Sequence, residues 1–179
     1  MSQPLSTPKG SVAIRPAVPQ DAVLLRELRL EALASQPEAF AADYALTAAD
    51  SADVWGTLIA KNAQQNSGVL CVASAGEQLV GMTGLGRGHW PKTCHSATIW
   101  GVFVRPAWRG HHLAQALIEA CSDWARPQGV VTVKLGVVTS NTAAIRCYAR
   151  CGFTIYGIEP KAIYHSGVFY DELLMAKPL

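Results

Sequence analysis

The stretch from Val102 to Trp124 holds the residues best spaced for chemistry. A short apolar run enters Pro106, passes through Arg109-Gly110-His111-His112-Leu113-Ala114 and continues directly into a helical pattern. That order builds an anion site. A strand ending at Val104-Arg105-Pro106 delivers the chain to a tight turn, and the next backbone N–H groups belong to a first helical turn, where they have no intrahelical acceptor. Those donors, with the positive end of the helix dipole behind them, suit a pyrophosphate. Gly110 lets the backbone approach a ligand closely, Ala114 keeps that approach open, and Arg109 adds a charged fork. The plainer alternative for an isolated Arg-Gly pair is a strand-to-helix turn with a basic surface residue.

The flanking elements must hold this loop in place. Leu113, Leu117, Ala120, Cys121 and Trp124 fall three and four apart, and no Gly or Pro intervenes before Pro127 and Gly129. This predicts a helix with one buried face. Val130 to Val138 reads as a buried strand rich in β-branched residues, followed by Thr139-Ser140-Asn141 and a short helix through Arg150. Ser140 or Asn141 is the natural N-cap. That helix carries Asn141, Ala144, Ile145, Tyr148 and Ala149, and Gly152 suits a left-handed stop before a strand from Phe153 to Gly157.

Taken together, Val102-Phe103-Val104-Arg105-Pro106-x-x-Arg109-Gly110-x-x-Leu113-Ala114 and Asn141-x-x-Ala144-x-x-x-Tyr148-x-x-x-Gly152-Phe153 resemble the GNAT superfamily of acyl-CoA-dependent N-acetyltransferases. Ile14-Arg15-Pro16-Ala17 followed by Asp21 resembles that family's first strand and the start of its first helix. The family's cofactor loop usually reads Arg/Gln-x-x-Gly-x-Gly/Ala. Here it is Arg109-x-x-His112-x-Ala114, with His112 at the usual glycine. A loop that donates through backbone N–H groups keeps those donors when the residue is histidine.

The resemblance implies a single α/β domain with a mixed, mostly antiparallel, V-splayed sheet flanked by helices, and acetyl-CoA entering between the strands at Val102 and Val133. Its cofactor site would comprise Val102, Phe103 and Val104, the loop Arg109, Gly110, His111, His112, Leu113 and Ala114, and Asn141, Ala144 and Tyr148. The expected reaction is transfer of acetyl to a primary amine, either on a small molecule or on a peptide, by direct attack on the thioester. The C-terminal stretches Gly157 to Ile163 and Tyr170 to Met175 resemble a bacterial branch. Members commonly pair, so a homodimer is among the expected partners.

Amide formation needs a neutral amine, a stabilised carbonyl oxygen and a proton for the departing thiolate. Tyr148 lies one helical turn beyond Ala144 on the face begun by Asn141, so it can point at the cofactor sulfur; in the resembling family this tyrosine is the general acid, whereas by position alone it also fits a core. A backbone N–H of the Gly101 to Val104 strand would hold the oxyanion, with Val102 and Val104 pairing the pantetheine arm as an added strand would. Asn141 would bond the same arm. No carboxylate lies on Ala97 to Phe103, which leaves deprotonation to a water chain, Glu31 or solvent. Trp100, Phe40, Tyr44 and His89 are aromatic candidates for an acceptor wall, with Glu31 beside them; the same aromatics also fit a plain core. Asp171 and Glu172 are adjacent on a strand, so at most one faces a pocket, and solvated charge is the simpler role.

Ala22 to Ser35 reads as a helix with Leu24, Leu28 and Ala32 inward and Arg26, Glu27 and Arg29 largely outside. Pro37 ends it or begins a short helix through Tyr44, and Ser51 to Gln65 forms another, with Trp55, Leu58 and Ile59 inward. Val69 to Ala75 and Gln78 to Arg87, joined at Gly76, read as a hairpin, and Ser96 to Val104 as the next strand. Residues 1–11, polar and holding Pro4, Pro8 and Gly10, are expected as a flexible lead before a domain over residues 12–179.

Composition excludes several classes. With 179 residues, half of them apolar, the chain can bury one sizeable core. Its 15 basic residues are scattered among 13 acidic ones, unlike the basic stripe of a nucleic-acid binder. No apolar run approaches the ~20 residues of a membrane span, and the first residues lack the apolar core of a signal peptide. Five cysteines without paired-knuckle spacing suit a reduced cytoplasmic protein and give no metal site. Two alternatives to the enzyme remain: a non-catalytic acyl-CoA-binding or regulatory domain of the same fold, and a nucleotide-binding domain, which would lack its Gly-rich loop with Lys-Ser/Thr.

Overall fold

The computed structural model describes residues 3–179. Its first half comprises β1 (Gln3–Thr7), β2 (Gly10–Pro16), α1 (Ala22–Ser35), α2 (Tyr44–Ala49), α3 (Asp53–Gln65), β3 (Gly68–Ala75) and β4 (Gln78–Arg87). Then follow β5 (Ser96–Val104), α4 (Leu113–Ala125), β6 (Thr132–Val138), α5 (Thr142–Arg150), β7 (Thr154–His165) and β8 (Val168–Pro178). These strands form one sheet in the order β1-β2-β3-β4-β5-β6-β8-β7. Every neighbouring pair is antiparallel except β5 and β6.

That parallel pair positions the site. β5 and β6 are in register only at Ser96–Thr132, Ala97–Val133 and Thr98–Lys134, and then diverge. β5 stays on β4, where Gly84 faces Trp100 and Met82 faces Phe103, so an extra residue bulges from β5. Gly101 lies in that bulge with φ of 64°, a conformation that favours glycine. β6 instead stays with β8, from Thr132–Pro178 to Val138–Glu172. The sheet is therefore splayed like a V, with its fork just beyond Thr98 and Lys134. Val133, expected beside the cofactor entry, pairs with Ala97 below the fork and is fully buried.

Apolar helix faces cover both sides of the sheet. On α4, Leu113, Leu117, Ile118, Cys121 and Ala125 pack with strand residues such as Val80, Leu135 and Val137. On the opposite side, Leu25, Leu28 and Ala32 of α1 meet Trp55 and Ile59 of α3 over Leu70, Val72 and Met82. Burial of each large aliphatic side chain contributes ~1.5–3 kcal/mol, which fixes both helices on the splayed sheet. The α1 stripe is rotated from the expected one: Leu24 is only partly buried, whereas Arg29, expected outside, is buried.

Several expected boundaries change, with α3 starting at Asp53 rather than Ser51 and β6 at Thr132 rather than Val130. Met1 and Ser2 lie outside the described residues, but Gln3–Thr7, part of the expected flexible lead, is an edge strand paired with β2. Pro4 is tolerated there because an edge strand has one unpaired side. Pro37 begins only a short 3₁₀ turn through Ala39, and Tyr44 instead starts α2, capped by the Asp43 side chain. β7 runs on past Gly157 to His165, with a register shift between Glu159 and Ile163 in its pairing to β8.

Candidate functional site

The fork opens a cleft of about 370 Å³. One wall is β5 from Ile99 to Val104, the other is β6 from Leu135 to Val138, and the α4 and α5 starts close one end. Along Ile99 to Val104, β5 has no partner on its β6 side, which leaves a strand edge able to pair with an extended ligand arm. Val102, Phe103 and Val104 all line the cleft, as expected.

At its closed end the cleft meets the loop before α4. Gly110 has φ of 83° and His112, the N-cap of α4, has φ of 59°. A left-handed residue at that position turns the strand into the helix, and histidine adopts it at a cost that glycine avoids. His112 offers no side-chain cap; its carbonyl accepts from Ala116 N at 3.0 Å. Among the described residues, the N–H groups from Gly110 to Gln115 have no acceptor. Six successive unpaired backbone donors thus lie together at a helix N-terminus, an arrangement that suits an anion. Arg109, Gly110, His112, Leu113, Ala114 and Gln115 line the cleft, while His111 does not. The Arg109 side chain bends back: Nε donates to Val104 O at 3.0 Å and Nη2 to Gln36 Oε1 at 3.2 Å.

α5 brings the second set. Asn141 is its N-cap, with Oδ1 accepting from Ala144 N at 3.1 Å. Tyr148, on the cleft-lining face with Asn141 and Ala144, is 8% exposed and its ring lies 6.2 Å from that of Phe153. Its hydroxyl has no hydrogen-bond partner among the described residues. Burial pushes that hydroxyl well above its ordinary value, and the neighbouring Cys147 and Cys151 push it the same way. The phenol therefore holds its proton throughout the neutral range. Cys147 also lines the cleft, and a hydrogen bond from Cys151, helped by the Arg150 charge, brings its thiol down to about 7. Cys151 is driven upward by the same pairing. Nothing in the sequence singles out Cys147, whose spacing to Cys151 fits no metal motif; among the described residues no group of three or more His, Cys, Asp or Glu could hold a metal ion.

The acceptor candidates divide. Phe40 and Trp100 line the cleft, with Trp100 stacked so closely on Gly84 that a Cβ there would lie 2.3 Å from its ring. Tyr44 lies away from this cleft, on the wall of a second cavity with Phe40 and Tyr164. His89 packs on Trp90 outside the cleft, at 4.7 Å between ring centroids. Glu31 is absorbed by an ion pair with Arg105 at 2.8 Å, which ties α1 to the end of β5 and leaves it a poor open base. Asp171 is likewise used, accepting from Lys161 N at 2.8 Å.

Two unexpected charges flank the fork. Arg29 reaches inward from α1, with its guanidinium 4.8 Å from the Phe40 ring centre. Glu172 of β8 crowds Gly136 of the cleft wall, where a Cβ would lie 2.5 Å from Oε2. Burial, reinforced by Glu159 opposite, raises the Glu172 carboxyl above its ordinary value. Glu172 is thus half-buried against the cleft wall. The one legible signal was Gly136, a glycine inside a β-branched strand, which marks a close approach.

This fold is that of solved acetyltransferases. The fold matches a GNAT-family acetyltransferase from Streptococcus pneumoniae with a TM-score of 0.85 at 23% identity, over 94% of this chain and 99% of that one. It also matches YncA, a putative acetyltransferase from Salmonella typhimurium solved with its cofactor acetyl-CoA, with a TM-score of 0.81 at 20% identity, over 94% of each chain. The sequence model of the Acetyltransferase (GNAT) family matches residues 30–153, and the chain belongs to that family. Among curated relatives, the L-amino acid N-acetyltransferase AaaT of Escherichia coli K12 is 33% identical over 49% of this chain and 54% of its own length. The ribosomal protein bS18-alanine N-acetyltransferase of the same strain is 32% identical over 46% and 56%. The streptothricin acetyltransferase of Escherichia coli is 36% identical over 35% and 36%. The chain thus spans between a third and just over half the length of these relatives.

Proposed function

We propose that this protein transfers the acetyl group of acetyl-CoA to a primary amine by direct attack on the thioester. The observation that carries this proposal is the continuity of one cleft: six unpaired N–H donors, an unpaired β5 edge and the Tyr148 phenol all line or border it. The pyrophosphate would lie on the α4 N-terminus, the pantetheine arm along Val102 and Val104, and the thioester beside the β5 bulge. Arg109 would exchange its Gln36 contact for phosphate. The side-chain NH₂ of Asn141, whose Oδ1 is already used as a cap, would bond the pantetheine arm.

A backbone N–H of the bulged segment would stabilise the oxyanion, and Tyr148, kept protonated by burial, would donate to the thiolate as it leaves. Glu172, whose carboxyl is raised and lies over Gly136, is the group we assign to take the amine's proton. The acceptor is a small-molecule or peptide amine; the named relatives act on an amino acid, on streptothricin and on a ribosomal protein. No described helix is long and apolar enough to cross a membrane, and we place the reaction in the cytoplasm.

The test is thiol release from acetyl-CoA in the presence of a panel of amines. Amine-dependent release, with Arg109→Ala weakening acetyl-CoA binding by about tenfold or more, is the expected result. Binding of acetyl-CoA without release for any amine would favour a non-catalytic acyl-CoA-binding domain.

A further inference from the structure

One charge in this fold has no partner inside the protein. Arg29 is 8% exposed, Nη1 is buried without a hydrogen-bond partner, and no described residue forms an ion pair or hydrogen bond with the guanidinium. Burial lowers its affinity for its proton, but not enough to discharge an arginine, so the site holds a cation. An uncompensated buried charge is costly, and the Phe40 ring at 4.8 Å offsets only part of that cost.

Its position is specific. Nη1 lies 3.4 Å from the point where a Cβ on Gly101 would sit. Gly101 lines the cleft in the β5 bulge, where the reading above would put the thioester, and the unpaired donors of Gly110 to Gln115 border the same cleft. Because that residue is glycine, it has no side chain to shield Nη1, which lies just behind the cleft wall and is not itself part of the lining. Across the fork, Glu172 presents a carboxylate that is likewise without a hydrogen bond or ion pair among the described residues. An unpaired cation behind one wall and a carboxyl beside the other complement a zwitterion.

The geometry points to an acceptor that carries a carboxylate close to its amine, with Arg29 as the specificity residue that binds the carboxylate through the gap at Gly101 while Glu172 faces the ammonium. This rests on the acetyl transfer proposed above and narrows its acceptor to free amino acids and related amino carboxylates. Peptide and protein amines, whose neighbouring carbonyl is an amide, lack the anion that Arg29 needs. An arginine fork suits a carboxylate through two parallel donors, which a lysine cannot reproduce.

The experiment compares free amino acids with their own carboxamides as acceptors, following thiol release from acetyl-CoA by wild type, Arg29→Lys and Arg29→Gln. Wild type should prefer the acids by about 10- to 100-fold in kcat/KM, the cost of removing a charge-assisted pair. Arg29→Gln should erase that preference by raising KM for the acids while leaving the carboxamide rates and acetyl-CoA affinity in place, and Arg29→Lys should restore part of it. Equal use of acids and carboxamides by wild type would overturn the inference and leave acetyl transfer standing, and this comparison needs no variant to fold. Equal loss of both substrates in Arg29→Gln with acetyl-CoA still bound would make Arg29 a structural residue. If no amine at all releases thiol, acetyl transfer itself fails, and calorimetric binding of amino acids to the CoA-loaded protein decides Arg29 separately: no difference between wild type and Arg29→Gln refutes it.

Discussion

Replacing Tyr148 by phenylalanine removes one oxygen from the centre of the cleft and little else. The ring keeps its neighbour Phe153 at 6.2 Å, and the hydroxyl bonds to no described residue, so its loss breaks no bond that holds the fold. Unfolding by urea should find Tyr148→Phe within ~1 kcal/mol of wild type, since the hydroxyl bonds to no described residue and opens on the cleft. Acetyl-CoA affinity should also hold, because the donor loop from Gly110 to Gln115 is untouched. The rate should not hold. Loss of a positioned proton donor costs ~10²–10⁴-fold, or ~3–5 kcal/mol of transition-state stabilisation. Steady-state thiol release gives kcat, and the pH profile adds a second check. Because burial raises the phenol, the wild-type rate should not fall on the alkaline side until above the ordinary tyrosine range near ~10. A Tyr148→Phe protein with unchanged kcat would refute the general-acid role, and one that loses acetyl-CoA binding would show the tyrosine to be a wall of the site.

Three further outcomes are expected. His112→Gly relieves a left-handed residue at the N-cap of α4 while adding backbone entropy to the unfolded chain, so stability should rise by no more than ~1 kcal/mol, with acetyl-CoA bound as tightly or tighter; a tenfold weaker Kd by calorimetry would make the imidazole a ligand contact. Alkylation of Cys147 by iodoacetamide, located by mass spectrometry, should slow as pH falls below about 7, where the thiolate is protonated, and acetyl-CoA should protect it; no protection would place the thiol outside the occupied cleft. Asp21, held by Arg15 at 2.7 and 2.8 Å and by Val18 N at 2.8 Å, titrates below its ordinary value, chiefly through its hydrogen bonds to Arg15. Its contribution is complete above the ordinary carboxylate range and disappears as pH falls through the lowered value, so Asp21→Asn should cost ~1–3 kcal/mol at neutral pH and flatten the acid limb of the stability curve. An unaltered acid limb in urea titrations would contradict that linkage.

Where one physical signal dominates, residues and structure agree. Helical spacing places α1 at Ala22–Ser35, and Ser96–Val104 reads as the strand after the hairpin, both to the residue. The same local chemistry points to the turn at Gly110 and narrows the cap to Ser140 or Asn141, of which the structure uses Asn141. Disagreements arise where tertiary contacts decide. Arg29 looked external because a charged residue beside Leu28 belongs on a wet face, yet Gly101 and Phe40 leave it room to bury. Glu172 looked solvated because only the return of β8 against β6 brings it over Gly136. Glu31 and Tyr44 left the site through partners far away or through a local cap, Arg105 in one case and Asp43 in the other. Gln3–Thr7 has the composition of a loop and is ordered by pairing along one side only.

Calorimetric titration with acetyl-CoA and, separately, with ATP tests the cofactor assignment most directly. The donors from Gly110 to Gln115 would recognise phosphate in either ligand, but only acetyl-CoA has an arm that can pair with the free edge of β5. Micromolar binding of acetyl-CoA, with no comparable binding of ATP, is the predicted result. Equal binding of both, or binding of neither, would contradict it.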